Sequence, residues 1–531
     1  MVSVMDMPSF GVVSVTQESA EKEAGGILLV RSRLGGGPHA GLVGSAGELA
    51  YGRGHSARCA LMGDFRAMRI DPGAAIAELA ALFGGRVQTS EAVRRAHANT
   101  LTWIAAEPPD AVVWPLTTEE VVQIVRVAAG HRVPLVPFGA GTSLEGHVNA
   151  PRGGISVDLS RMTRILSVSP SDLDCVVEAG VTRPMLNAHI RDLGLFFSVD
   201  PGAADATLGG MAATRASGTN AMRYGTMREN VLSLKAVMAN GDVVVTGGRA
   251  RKSAAGLDLT RLLIGSEGTL GIITELTLKL NPIPARIVAM ACPFSSLGGA
   301  CDATIEATEC GLGLARVELL DALQIRAVNF HSKFSLPEQP HLFVEIAGGE
   351  AATEEQLRDF RDIALRNGAM ACDWADGEEG RRTLWRARHD AFWAVKTMWP
   401  GKSVIASDVC VPVSELARCV LETVADIEVS GLTAPIVGHV GDGNFHVLPV
   451  VDVGDGAELA RVRAFLDRLV VRALDMGGTC TGEHGVGQGK MAYLARELGA
   501  PAVETMRAIK SALDPFQILN PCKMLGDGLG N

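Results

Sequence analysis

The chain has 531 residues, which exceeds the usual size of one domain, so we expect at least two domains. Apolar residues make up 47% of the sequence and can fill large cores, whereas a net charge of −10 without a basic run argues against nucleic-acid binding. The sequence has no run of about 18 apolar residues, so no transmembrane segment is predicted.

Residues 1–60 carry early acidic residues and lack a basic start before an apolar core, so they do not form a secretory signal. We expect an N-terminal extension without fixed structure there, and Met62 or Met68 is an alternative beginning of the chain. The ten cysteines contain no C-x-x-C motif, which argues against a zinc ribbon or an iron–sulfur cluster. Reduced thiols predict a cytoplasmic location, with peripheral attachment at the inner membrane as an alternative.

Apolar periodicity and turn residues divide the remaining chain into helices and short strands. The segment 117–131 opens with two threonines ahead of two glutamates, a pattern typical of a helix start. Further helices are predicted over 73–84, 457–476 and 491–498. Strands are predicted within 110–115, 133–138, 153–162, 172–182, 234–248 (a hairpin on Asn240-Gly241), 270–280 and 341–348. Strands dominate 133–280 without regular βαβ alternation, so the fold class is α+β. The Pro-rich segment 281–285 marks a predicted domain boundary.

Three loops rich in glycine and small side chains follow strands in the first half of the chain. The first, 'PFGAGTSLEGH' (137–147), has neither Rossmann spacing nor the G-K-[ST] ending of a Walker A loop. Its glycines and hydroxyls suit a backbone cradle for phosphate, although an ordinary glycine turn has the same composition. Together with 200–225 and 262–275, it would let the backbone approach a long, flat nucleotide cofactor at several points.

The stretch 'GHVGDGNFHVLPV' (438–450) places two histidines on either side of an Asp-Gly turn signal. Asp-Gly between apolar residues predicts a two-residue hairpin loop at Asp442-Gly443. In that register His439 faces His446 on one face, with Cβ atoms about 4.5–5.5 Å apart. The pair predicts a two-histidine metal clamp, although a lone histidine is more often packed or exposed than a ligand. Asp442 is interpreted as a turn residue.

Eight segments between 107 and 525 carry, in order, a resemblance to one flavoprotein family. They are 'VPFGAGTSLEGH', 'ISVDLSRM', 'GGMAATRASGTNAMRYGTMRENV', 'GSEGTLGIIT', 'SDVCVPVSEL', 'GHVGDGNFH', 'GTCTGEHGVGQGK' and 'LNPCKML'. The chain resembles the vanillyl-alcohol-oxidase/PCMH superfamily, in its branch of cytochrome-type D-lactate dehydrogenases and glycolate oxidase subunits. The resemblance implies a PCMH-type FAD-binding domain of two α+β subdomains (61–285) and an antiparallel-sheet cap domain (286–474). A C-terminal segment (475–531) would return to the FAD domain and complete the active site.

The resemblance also implies how FAD is held. The first loop would hold the pyrophosphate, and the other two would line the adenosine and ring sections. Attachment is predicted to be noncovalent, because this branch does not typically use the histidine link found elsewhere in the superfamily. The implied FAD-binding residues are Pro137, Gly139, Gly141, Thr142, Ser143, Gly146, His147, Pro201, Gly202, Thr207, Gly210, Ala213, Ser217, Gly218, Tyr224, Gly225, Glu267, Gly268, Gly271, Ile272, Ile273 and Asn520.

The segment 'TGEHG' supplies the remaining implied site residues. In the family, a divalent ion is held by residues that match His439, His446 and Glu483, and the residue that matches His484 is the base. Two imidazoles and a carboxylate suit Zn, Mn or Fe and leave coordination positions for a substrate. The implied reaction binds a 2-hydroxy acid to the ion, removes its hydroxyl proton at His484 and passes the Cα hydrogen as hydride to flavin N5.

An arginine for the substrate carboxylate is implied by 'LWRARHDAFW' (384–393), in which Arg388 takes the matching position. Its planar fork suits a carboxylate. Arg386, two residues earlier on a predicted helix, would point about 200° away and is interpreted as a surface residue in a salt bridge. Arg316, in 'RVELLD', is a second candidate.

The implied function is oxidation of a D-2-hydroxy acid. D-lactate is favoured because Ala406 stands where relatives acting on D-2-hydroxyglutarate carry a lysine. A glycolate oxidase subunit and a D-2-hydroxyglutarate dehydrogenase are alternatives within the fold. A zinc hydrolase and a noncatalytic flavin-binding protein are alternatives from other classes. Without an iron–sulfur cysteine set, electrons would leave through a partner such as a cytochrome, a quinone or an electron-transfer flavoprotein.

Overall fold

Strands and helices alternate irregularly along residues 70–98, 102–250 and 252–526, which are the residues that the computed structural model describes. The predicted extension at 1–60 lies outside them. The elements before residue 285 are α1 (Gly73–Phe83), β1 (Val87–Gln88), α2 (Glu91–Ala96), β2 (Ala111–Val113), α3 (Thr118–His131), β3 (Leu135–Phe138), β4 (Ile155–Asp158), β5 (Ile165–Ser169), β6 (Asp174–Glu178), α4 (Arg183–Ile190), β7 (Leu195–Phe196), α5 (Leu208–Thr214), α6 (Ala221–Tyr224), α7 (Met227–Asn230), β8 (Val231–Val237), β9 (Val243–Val245), α8 (Leu259–Leu263), β10 (Ile272–Lys279) and β11 (Asn281–Pro282).

Two sheets organise this first region. One has the order β1-β2-β4-β3, with β2 and β3 each parallel to β4, and the other is antiparallel with the order β5-β6-β10-β8-β9. Helix α3 begins as predicted, because the Thr117 hydroxyl accepts the backbone N–H of Glu120 at 3.3 Å. The predicted hairpin joins β8 to β9, and its turn needs Gly241 at φ 80°.

A third sheet begins at Arg286, directly after the Pro-rich segment. The elements from there are β12 (Arg286–Pro293), α9 (Leu297–Glu309), β13 (Leu314–Leu320), α10 (Ala322–Ser332), β14 (His341–Gly348), α11 (Glu350–Arg366), β15 (Asp373–Ala375), α12 (Glu378–His389), α13 (Ala391–Met398), β16 (Ser403–Val404), β17 (Val409–Cys410), α14 (Leu416–Val429), β18 (Ile436–Gly438), β19 (Asn444–Val447), β20 (Val450–Val451), α15 (Gly456–Asp475), α16 (Leu494–Leu498) and α17 (Ala500–Leu513).

This third sheet is antiparallel, with seven strands in the order β15-β12-β14-β13-β18-β19-β17. Alternate residues of β12 enter different cores: Met290 and Cys292 pack with α9, α11, α14 and α15, whereas Ala289 and Ala291 pack with α10, α12 and α13. The sheet therefore has helices on both faces. It has the antiparallel architecture predicted for the cap, while the division into an FAD-binding domain, a cap domain and a returning C-terminal segment stays a prediction.

The long helix predicted at 457–476 is α15, and the one predicted at 491–498 is a short 3-10 turn that continues into α16. Among the described residues, no helix combines the length and apolar character needed to cross a membrane.

Candidate active site

The hairpin that carries the two histidines has a different register from the predicted one. Val437, not His439, pairs with His446. A 3-10 turn at Val440–Asp442, with Gly443 at φ 75°, replaces the two-residue loop, and the N–H groups of Asp442 and Asn444 both donate to the His439 carbonyl. The predicted register was wrong by two residues. Since two is the period of the pleat, the histidines still lie on one face.

The rings of His439 and His446 meet at one carboxylate. Their centroids are 5.5 Å apart, and Glu483 Oε1 lies 3.2 Å from His439 Nε2 and 3.3 Å from His446 Nε2. The other ring nitrogens are held from behind: Nδ1 of His446 lies 2.9 Å from the Ser407 carbonyl, and Nδ1 of His439 lies 2.7 Å from a Glu318 oxygen. Such partners fix which nitrogen faces the site. Two imidazole nitrogens and a carboxylate therefore converge, as the sequence predicted.

Charge within this cluster is held by close carboxylates. Burial alone would lower the pKa of His439, but Glu318 and Glu483 outweigh it and raise that pKa to about 10. Burial would raise the pKa of Glu483, but His439 and His446 hold it well below its usual value. The cluster therefore favours positive charge between the imidazoles and the carboxylates, which a proton or a cation can supply.

Glu318, on β13, is a site residue that the sequence reasoning missed. Its side chain is 1% exposed, and its two oxygens bind different partners: Nδ1 of His439 and, at 2.5 Å, Nε of Arg388. Burial would raise its pKa, but His439 and Arg388 lower it. A glutamate inside the apolar strand 'LARVELL' was the available signal. Arg388 is thus brought beside the histidine pair, whereas Arg386 is exposed and stacks on Phe334 at 4.7 Å.

Arg316, the second candidate for the substrate carboxylate, lies in a separate polar network. Its Nε donates to Asn220 at 2.8 Å, its guanidinium lies near Asp200 and Glu345, and it stacks on Trp385. Arg316 therefore joins the first region to the third sheet through these contacts.

Asp408 fixes the glycine-rich loop that supplies Glu483 and His484. One of its oxygens accepts the backbone N–H groups of both residues at 2.9 Å and the Thr481 hydroxyl at 2.8 Å, and the other accepts the Asn444 amide at 2.8 Å. Burial would raise its pKa, but nearby Lys490, with His484 and His446, lowers it strongly. The contacts of Asp408 could not be predicted from the sequence, because they link segments about 75 residues apart.

His484 stacks on the ring of His446, with centroids 5.1 Å apart and planes 8° apart. Its Nδ1 is buried and has no hydrogen-bond partner. Burial lowers the pKa of His484 to about 4; the charge of His446 adds to this effect, and Asp408 opposes it. The imidazole is therefore neutral near pH 7 and able to accept a proton.

A cavity of about 300 Å³ lies between His439 and the first region. Its wall includes His439, Asn444 and Gly482 on one side and Ser217, Ala221 and Gly225 on the other. Asp442, read from the sequence as a turn residue, also lines it, and burial raises the pKa of this carboxyl to about 7. Two predicted FAD-binding residues, Ser217 and Gly225, therefore share one cavity with a predicted metal ligand.

The glycine loops approach one another closely enough to exclude side chains. A Cβ on Gly139 would lie 2.2 Å from the Thr207 hydroxyl, and one on Gly268 would lie 2.9 Å from the Pro137 ring. Asn520 ties the set to the C-terminal end, since its amide donates to the carbonyls of Glu267 and His147. A Cβ on Gly202, in contrast, would meet open space. Loops that approach one another this closely through their backbones suit a bound dinucleotide.

The predicted FAD-binding residues occupy four segments of the structure. Pro137, Gly139, Gly141, Thr142, Ser143, Gly146 and His147 lie on β3 and the loop after it; Pro201, Gly202, Thr207, Gly210, Ala213, Ser217, Gly218, Tyr224 and Gly225 run from the loop before α5 to the end of α6; Glu267, Gly268 and Gly271 lie in the turn before β10; Asn520 lies near the C-terminal end. Ile272 and Ile273 begin β10, and their side chains pack in two apolar cores rather than beside the cavity.

His147 and Glu267 brace the C-terminal loop. The two side chains are nearly buried, with His147 Nε2 3.2 Å from Glu267 Oε1, and Glu267 accepts the N–H groups of Val486 and Gly487. A Cβ on Gly485 would lie 2.7 Å from His147 Nε2, so the ring is closely packed. Noncovalent attachment of the flavin stays a prediction, and this packing supports it.

Gly268→Ala should lower both the melting temperature and the affinity for FAD. Gly268 has φ 72°, and the added Cβ would contact Pro137, so strain of about 1–3 kcal/mol is expected. Thermal unfolding and flavin release measure the effect. Gly130→Ala, in α3 with open space around it, is the control and should be neutral or stabilising. Equal behaviour of the two variants would show that the loops do not need this close approach.

Two family models match successive parts of the chain. One family model, described as FAD binding domain, matches residues 109–247, and another, FAD linked oxidases, C-terminal domain, matches residues 283–524. A probable mitochondrial D-lactate dehydrogenase of Danio rerio is 47% identical over 83% of this chain and 89% of its own. A mitochondrial D-lactate dehydrogenase [cytochrome] of Arabidopsis thaliana is 46% identical over 79% and 74%. Glycolate oxidase subunit GlcD of Bacillus subtilis (strain 168) is 35% identical over 78% and 89%.

Solved structures share the fold. p-Cresol methylhydroxylase with substrate bound has a TM-score of 0.73 at 18% identity, over 86% of this chain and 98% of that one. The chain belongs to the FAD-linked oxidases of the vanillyl-alcohol-oxidase/PCMH superfamily, in the branch of the D-lactate dehydrogenases and glycolate oxidase subunits. The predicted superfamily, the α+β PCMH-type fold class and the prediction of an FAD-dependent oxidoreductase are confirmed. The predicted cytoplasmic location is not, because relatives carry mitochondrial names.

Proposed function

We propose that this chain oxidises D-lactate, or a closely similar D-2-hydroxy monocarboxylic acid, to the 2-oxo acid with FAD and a divalent metal. The observation that carries the proposal is the convergence of His439, His446 and Glu483, of which His439 lines a cavity that Ser217 and Gly225 also line. The names of the relatives support the substrate. When bound, FAD supplies the acceptor for two electrons.

The donor set fits a metal such as Zn, Mn or Fe. Nε2 of both histidines faces the same carboxylate, and Glu483 Oε2 is buried without a hydrogen-bond partner. A second group, Asp408 with His446 and His484, also has ligand atoms close together, but Asp408 already accepts four hydrogen bonds. We therefore assign the ion to the first group, where it would act as a Lewis acid that lowers the pKa of the substrate hydroxyl.

The chain's own residues then have separate tasks. His484, neutral and with an unpartnered ring nitrogen, accepts the hydroxyl proton of the substrate. Arg388 binds Glu318 through Nε, and its Nη2 lies 3.5 Å from His439 Nε2, so the guanidinium faces the histidine pair and can meet a substrate carboxylate there. Glu318 orients both Arg388 and His439, because one carboxylate binds the two side chains. The walls of the cavity hold the substrate between these groups and the flavin.

Arg388→Lys should weaken substrate binding, because lysine keeps the charge but loses both the fork and the Nε contact with Glu318. A loss of about 1.5–3 kcal/mol is expected for a charge-assisted hydrogen bond, or roughly one to two decades in affinity. The substrate dependence of flavin reduction measures it, with metal content checked. Arg386→Lys is the control, since Arg386 is exposed and stacks on Phe334. If neither variant changes binding, the ion rather than Arg388 holds the carboxylate.

Ala406 supports a monocarboxylic substrate. It stands two residues before Asp408 and offers no cation to a second carboxylate. Glycolate, a smaller monocarboxylic acid, and D-2-hydroxyglutarate, which carries a second carboxylate, are the alternatives to test beside D-lactate. A cytochrome is proposed as the electron acceptor from the names of relatives, and a quinone or an electron-transfer flavoprotein is the alternative.

The deciding experiment is anaerobic mixing of the metal-loaded flavoprotein with D-lactate, L-lactate, glycolate and D-2-hydroxyglutarate. We expect D-lactate to bleach the visible flavin absorbance fastest and L-lactate to leave it unchanged. Faster bleaching by glycolate or D-2-hydroxyglutarate would reassign the substrate. A preparation that binds flavin but is bleached by none of these acids would contradict the proposal.

A further inference from the structure

Two cysteines lie opposite each other on the edge of the seven-stranded sheet that is remote from the histidines. Strands β12 and β15 pair antiparallel, with Ala291 opposite Asp373. One further step in that register sets Cys292 opposite Cys372, and the two side chains pack in the same apolar core. Directly opposed residues have Cα atoms about 4.5–5.5 Å apart, within the range of about 4.4–6.8 Å that disulfides span.

The two thiols have different surroundings. Cys292 is fully buried in the core between the sheet and α9 and α11, whereas Cys372 is half-buried at the edge. Interaction with the Cys292 thiol lowers the pKa of the Cys372 thiol, and nearby Arg361 adds to this effect. The same interaction, with burial, raises the pKa of Cys292. The accessible thiol is thus the better nucleophile, and the buried one is positioned to react with it second.

We infer that Cys292 and Cys372 form an oxidation site, which closes a disulfide between β12 and β15 when hydrogen peroxide reaches the sheet edge. The Cys372 thiolate attacks peroxide, so that an S–O bond forms, the O–O bond breaks and hydroxide leaves with the electron pair. The Cys292 thiol then attacks the sulfenic acid, an S–S bond forms, and the S–O bond breaks. With the two thiol protons, the products are one disulfide and two waters.

The site is separate from the proposed active site. Strands β14 and β13 lie between β12 and β18, so Cys292 is roughly 14 Å from the strand that leads into His439, at about 4.8 Å per strand, and Cys372 is one strand further away. The disulfide would tie the short edge strand β15, which leads into α12, to the interior of the sheet. Its main effect should be on stability, because it closes a long loop.

The test treats the flavin- and metal-loaded protein with hydrogen peroxide, blocks remaining thiols and maps peptides without reduction. We expect one cross-linked peptide pair containing Cys292 and Cys372, its loss after dithiothreitol, and a melting temperature a few degrees higher in the oxidised protein. Cys372→Ser should abolish both the cross-link and the shift. Cys310→Ser, which removes an exposed cysteine elsewhere in the same region, should retain both.

Two results would overturn the inference: accumulation of Cys372 as sulfinic acid while Cys292 remains alkylatable after denaturation, or a disulfide from Cys372 to another cysteine. Bleaching of the flavin by D-lactate, measured in the same preparations, reports on the proposed function independently of either result.

Discussion

His446→Ala should remove the divalent metal and nearly all turnover while the flavin stays bound. His446 provides one of the two imidazole nitrogens beside Glu483. The Ser407 carbonyl holds its other nitrogen and so fixes the orientation of the ring, and alanine removes this oriented ligand. Loss of a partner behind a ligand already costs about 10–100-fold in metal affinity, and loss of a ligand should exceed that.

Metal content after dialysis, the visible flavin spectrum and the rate of flavin reduction measure the three parts of this result. His331→Ala is the matched control, because His331 is half-buried on α10 and contacts Thr397 rather than the site. Retention of stoichiometric metal with full turnover in His446→Ala would reject the assignment of the ion to this cluster.

His484→Gln should slow flavin reduction by about 10²–10⁴-fold, the usual contribution of a positioned acid–base group. Gln keeps a polar side chain of similar size but cannot accept a proton near neutral pH. The metal should remain, because His439, His446 and Glu483 are untouched. Stopped-flow reduction by D-lactate, together with metal analysis, gives the result.

Two outcomes of that experiment carry different meanings. A wild-type rate with metal bound would remove His484 from the role of base. Loss of metal together with activity would instead place the ion between Asp408, His446 and His484, the second group of potential ligands. The stacked geometry of His446 and His484 makes this comparison informative, since the two groups share one histidine.

Local patterns in the sequence were sufficient for features that depend on neighbouring residues. The start of α3 follows from Thr117, and the β8–β9 hairpin follows from Asn240-Gly241. The turn between the histidines could not be predicted to the residue, because Gly443 packs against the Val411 backbone, where a Cβ would lie 2.0 Å from the carbonyl oxygen. That constraint comes from the residue directly after β17, more than thirty positions earlier.

The two histidines could be predicted as a pair, because the two-residue period of a strand brings both to one face, whereas Glu483 was predicted as a ligand from the family resemblance. The residues that orient these side chains, Glu318 and Asp408, could not be predicted. Glu318 reaches His439 across 121 positions, and Asp408 reaches the amides of Glu483 and His484 across about 75. Such contacts depend on strand order within the sheet, which apolar periodicity leaves open.

The hydrogen bonds that the Asn520 amide donates to the carbonyls of Glu267 and His147 affect the order in which the cofactor loops are completed during synthesis. A ribosome releases the loops at 137–147 and 262–275 hundreds of residues before it releases Asn520. The backbone N–H of Leu135 likewise gains its acceptor, the carbonyl of Ile518, only after that residue has been synthesised. The cofactor loops therefore reach their final shape only after residues 518–520 have been synthesised, and a nascent chain stalled before residue 518 carries the loops without this support.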